Sequence, residues 1–163
     1  MKVSILEIIL KGIPENLIFT LGLFAFTKTR IKSKPYWIAA IMIFVAVYIL
    51  RLMPINYSVN IMINVIFCTV LGINVLKISL LQSVKANLLT FSAILVGEAT
   101  NYFLLQSICG SQKMLEIMGD PMTKVIYTIP STIVFGAIIF TAYYFNVIKV
   151  SKKKEILNLK KER

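Results

Sequence analysis

From position 52 to position 76 the chain carries no charged residue, and from 125 to 148 it again carries none. About 20 apolar residues in a helix cross a bilayer core about 30 Å thick. In that core the backbone has no water to bond, so an uncharged run must close its hydrogen bonds within itself. Such runs recur through the 163 residues, 58% of which are hydrophobic. A water-soluble domain of this length lacks the interior to hide so much apolar surface. The expected fold is therefore all-α, an integral membrane helical bundle with five transmembrane helices.

The expected spans are about 3–27, 36–53, 57–78, 84–108 and 122–148, forming a transmembrane domain over 1–148 with a basic tail at 149–163. The first is long enough only if Val3 to Leu10 joins it through a kink at Pro14 in "GIPEN". The other possibility for that leading piece is an amphipathic helix on the membrane surface. Lys2 gives the start a signal-like look, but Glu7, Lys11 and Glu15 interrupt its apolar region and no A-x-A site follows, so we read it as retained. Asp120 followed by Pro121 has the form of an N-cap and first helical position for the fifth span. "CGSQKMLEIMGDP" before it has the pattern of a short surface helix on Met114, Leu115, Ile117 and Met118. Tyr36 and Trp37 stand where an interfacial aromatic anchor belongs.

The net charge of +11 is distributed unevenly. Lys28, Arg30, Lys32 and Lys34 lie between the first two spans, and Lys77 and Lys85 bracket the link between the third and fourth. Lys149, Lys152, Lys153, Lys154, Lys160, Lys161 and Arg163 follow the fifth. That places 13 of the 18 basic residues on one side, against five on the other. The positive-inside rule then puts the N-terminus outside and the C-terminus in the cytoplasm of a cell membrane, a bacterial inner membrane in our reading. The basic residues, with Lys28, Arg30, Lys32, Lys34, Lys152, Lys153 and Lys154 foremost, are expected at the membrane surface beside anionic lipid rather than on nucleic acid.

The chain has no histidine, which excludes imidazole metal ligands, a histidine general base and a phospho-accepting histidine. Cys68 and Cys109 form no CxxC pair, and there is no glycine-rich phosphate loop and no GxSxG. We expect no enzyme, no cofactor and no metal.

The informative polar residues lie within the spans. Asn56, Asn60 and Asn64 recur every four residues, with Cys68 on the same face. In the fourth span Asn87, Thr90, Ile94, Glu98 and Asn101 fall close to one face, with Gly97 beside them. The fifth carries Thr128, Pro130, Ser131, Thr132, Gly136 and Thr141. Most such groups hold helices together, since small and amide side chains pack and bond across membrane interfaces. A carboxylate is different, because an intramembrane charge is costly and marks function by default. Glu98 is about 20 Å along its span from Lys85, and Arg51 about 22 Å along its own from Tyr36. We expect these two opposite charges to pair, or to share a pocket with Asn60 and Asn101. The other possibility is a protonated Glu98 with Arg51 extended to the interface. Arg51, Glu98, Asn60, Asn64 and Asn101 are the candidate ligand or polar-network residues.

The short-looped spans running into a charged terminal helix, with "ILEIILKGIPENLIF", "YILRLMPINYSVN" and "DPMTKVIYTIPS", resemble the membrane sensor part of the accessory-gene-regulator-type, peptide-sensing receptor histidine kinases of Gram-positive bacteria. The resemblance implies a stand-alone sensor-like module, without the acceptor histidine and ATP-binding domain, that binds a small peptide or small-molecule ligand or a partner helix. Partners would be the bilayer and another membrane protein or a second copy. Two alternatives stay open: a substrate-binding subunit of a small-molecule transporter, and an accessory subunit of a larger membrane complex.

Overall fold

The computed structural model describes residues 8–53 and 56–150, apart from the side chains at 51, 52, 57, 58, 111, 112, 115, 116, 118, 121 and 122. The described residues form five helices: α1 (Ile13–Phe26), α2 (Ser33–Leu52), α3 (Tyr57–Leu76), α4 (Leu80–Gly119) and α5 (Pro121–Tyr143). With the turn Ile8–Gly12 that precedes α1 counted in, each of the five is long and apolar enough to cross a membrane.

Pro14 shapes the start of α1. It has no N–H for the carbonyl four residues back, and its ring crowds that carbonyl. The chain widens there, and Ile8–Gly12 winds as one π-helical turn leading into α1. The first span is thus one continuous helix over the described residues, Ile8–Phe26. Residues 3–7 lie outside them. A second π-helical turn, Tyr144–Lys149, continues α5.

The fourth span is broken at Gly110, whose φ of 75° belongs to the region that glycine enters without steric cost. The break separates the membrane-length piece, 80–109, from a short helix over 111–119, where Met114 is buried and Ile117 partly so. A short helix is therefore present where one was expected before the fifth span. Asp120 caps α5 as its sequence suggests, its carboxylate accepting from the Thr123 backbone N–H at 3.0 Å and from the Thr123 hydroxyl.

Helix α1 is at the centre. It packs on α5, α4 and α2, while α3 packs on α4 and α2. The core holds Phe19, Leu21, Leu23, Ile43, Cys68, Leu71, Phe135 and Ile139. Gly97 is where α4 meets α5: a Cβ on it would lie 2.8 Å from the Ser131 carbonyl oxygen. Polar contacts fasten the pairs as expected. Ser83 Oγ donates to the Thr69 carbonyl at 3.0 Å and Asn87 Nδ2 to Thr69 Oγ1 at 3.0 Å, joining α4 to α3. Tyr36 also joins α2 to α1. Its hydroxyl donates to the Leu17 carbonyl at 3.0 Å and its ring lies against Phe24, whereas Trp37 is 54% exposed.

The bundle has two ends. One carries the links 27–32 and 77–79 and the C-terminal π turn, and is the basic end. The other carries Ile8, the link between α2 and α3, and the 111–119 helix.

Candidate functional site

Helices α1, α2, α3 and α4 pack in a closed ring, across which α1 and α3 make little or no direct contact. A cavity of about 370 Å³ occupies the gap. Each helix lines it with one stripe at helical spacing: Gly12, Glu15, Asn16 and Phe19 from α1 and the turn before it; Ile43, Phe44, Val47 and Tyr48 from α2; Asn60, Ile61, Asn64 and Val65 from α3; Leu88, Phe91, Ile94, Leu95 and Glu98 from α4. Phe19 and Phe91 meet edge to face at 5.4 Å. The polar groups concentrate toward the end bearing the N-terminus, where Ile8 also reaches the wall.

Three of the five residues singled out from sequence, Asn60, Asn64 and Glu98, line this one cavity. Asn101 does not. Its Nδ2 donates to the Tyr127 carbonyl at 3.0 Å, so it fastens α4 to α5 and is 5% exposed. The helical wheel groups Asn101 with Glu98, yet Asn101 is four residues from Gly97 and shares its face toward α5. Glu98 belongs to the next stripe round, with Phe91, Ile94 and Leu95. For Arg51 the pairing expectation lies outside the described residues, since its side chain is among those left out. The tail lysines 152–154 are outside them too. Lys28, Arg30, Lys32 and Lys34 cluster at the basic end, where the Ile31 N–H donates to the Tyr143 hydroxyl at 3.3 Å.

The described partner of Glu98 is Lys11, with Nζ 3.6 Å from Oε1. That is ion-pair contact beyond hydrogen-bond range. The Lys11 side chain is 18% exposed and that of Glu98 46%. Lys11 sits in the π-helical turn, so Pro14 positions the cation that faces the intramembrane carboxylate.

Asn16 is the second polar member from α1. Its Nδ2 donates to the Ala40 carbonyl at 2.8 Å, and its buried Oδ1 has no hydrogen-bond partner among the described residues. Asn64 Oδ1 accepts from the Cys68 thiol at 3.5 Å, a weak donor.

Lys11, Glu15 and Asn16 went unrecognised as site residues in the sequence. Their signal was present, three polar side chains within two turns at the head of an apolar run. It read only as an interruption of a signal-like start. Chemically the site is an apolar slot with the Lys11–Glu98 ion pair and several amide groups at its polar end. No family model, curated protein or solved structure matches the chain.

Proposed function

We propose that this chain is a non-enzymatic multi-pass membrane protein that binds a small ligand in the α1–α4 cavity and acts as a sensor-like module. One observation carries the reading: amide and carboxylate side chains from three helices converge on a single opening whose other walls are apolar. Ligand pockets have this composition, a largely apolar surface with few polar groups that fix orientation, and start at about 300 Å³. Helix-fastening amides such as Asn87 and Asn101 donate to neighbouring helices. Those of Asn60 and Asn64 border the opening.

With the N-terminus outside, as the charge distribution argues, the polar end of the cavity faces the exterior. Occupancy would then be transmitted through α4 and α5 toward the basic end. The likeness to peptide-sensing receptor membrane domains supports sensing over transport. The absence of any histidine in the chain weighs against catalysis, since the cavity's carboxylates, Glu15 and Glu98, have no imidazole to share a proton with.

Cysteine accessibility tests this. In a chain with Cys68 and Cys109 replaced by alanine, Asn60→Cys and Asn64→Cys are exposed to a membrane-impermeant thiosulfonate added from outside. Both should react, and Ile66→Cys, on the exposed outer face of α3, should not. Failure of both cavity positions to react would dismiss an outward-opening site.

A further inference from the structure

The hydrogen-bond inventory of the cavity is lopsided. Asn16 donates one N–H to the Ala40 carbonyl, and its acceptor Oδ1 is buried with no hydrogen-bond partner among the described residues. Asn64 Oδ1 accepts from the Cys68 thiol at 3.5 Å. Glu98 offers two oxygens, of which Oε1 meets Lys11 at 3.6 Å, too long for a hydrogen bond. Among the described residues Glu98 and Asn64 thus give the opening weakly used acceptors, and Asn16 leaves beside them a buried oxygen that calls for a donor. Lys11, the cation at hand, approaches from the π-helical turn at the cavity's edge and its side chain is not one of the lining groups. Below these oxygens the slot is apolar, with Phe19, Ile43 and Phe91 in its wall.

Resting on the ligand-binding reading above, we propose that the cavity takes an amphiphilic amine: a protonated primary ammonium on an apolar body of modest size. An ammonium brings three donors and a positive charge and has no acceptor. Its head exchanges with Lys11 at the Glu98 carboxylate and donates to the amide oxygens. Its body fills the slot between the phenylalanines. Freed from Glu98, Lys11 and the π-helical turn move away from α4, so the head group is read by the first span.

Binding of octylamine, octanol and octanoate to the protein in zwitterionic lipid nanodiscs, with empty discs subtracted, tests both levels. The expectation is saturable octylamine binding about tenfold tighter than octanol, the size of one charge-assisted hydrogen bond. Glu98→Gln should bring octylamine down to the octanol level. Lys11→Met, which removes the competing cation, should tighten octylamine severalfold, whereas a merely structural pair would loosen it. Leu88→Trp should fill the slot and remove saturable binding of all three, with melting curves of each variant confirming the fold. Equal affinity for octylamine and octanol, both lost in Leu88→Trp, overturns the amine proposal and leaves the binding cavity standing. A preference for octanoate overturns it also, and makes Lys11 the group that reads the ligand. No saturable binding of any probe overturns the cavity reading itself.

Discussion

Single side chains in this bundle divide into those that join helices and those that border the opening. Asn87 is fully buried and its amide donates to Thr69 Oγ1, which in turn donates to the Val65 carbonyl at 2.7 Å. Thr69→Val should therefore cost about 1 kcal/mol, the usual range for such bonds within a membrane, as read by reversible unfolding in mixed micelles. Glu98 is the opposite case. A double-mutant cycle on Lys11→Met and Glu98→Gln should give a coupling of about 0.5 kcal/mol, because Glu98 is too exposed for a larger one. The same cycle with Arg51→Gln decides whether Arg51 also faces this carboxylate. Strict additivity with Lys11 and a clear coupling with Arg51 would transfer the partnership to α2.

At the scale of an element, the first span shows how one residue sets the azimuth of others. The π-helical turn ahead of Pro14 advances the chain by a different angle per residue than an α-helix does, which decides where Lys11 points. Pro14→Ala should let residues 8–12 rewind as regular helix, and the Lys11–Glu98 coupling should then vanish in the same cycle. Helices α4 and α5 depend instead on closeness. Gly97→Ala places a methyl 2.8 Å from the Ser131 carbonyl and must part the two helices. A loss of about 1–3 kcal/mol is expected in mixed-micelle unfolding. Gly119→Ala meets nothing within 4 Å, and its backbone is not in the left-handed region. It should be close to neutral.

Over the whole molecule, charge alone argues the orientation, and labelling can check it. Cysteines at Lys32 and Leu80 should react with an impermeant maleimide only from the cytoplasmic side and one at Asn56 only from outside. Labelling at position 32 from outside would reverse the topology and turn the cavity's polar end to the cytoplasm. The five spans, the Asp120 cap and the short helix before α5 were all legible in the sequence. Each depends on local chemistry, such as run length against bilayer thickness or a carboxylate at a helix start. Asn60, Asn64 and Glu98 were also legible as unusual, since a polar residue in an apolar run is conspicuous wherever the helix packs. What those residues face was decided only by tertiary structure. Periodicity fixes angles within one helix and says nothing about which helix stands opposite. Hence Asn101 turned out to fasten α4 to α5, Lys11 is the described partner of Glu98, and the cavity lies where α1 and α3 make little or no contact.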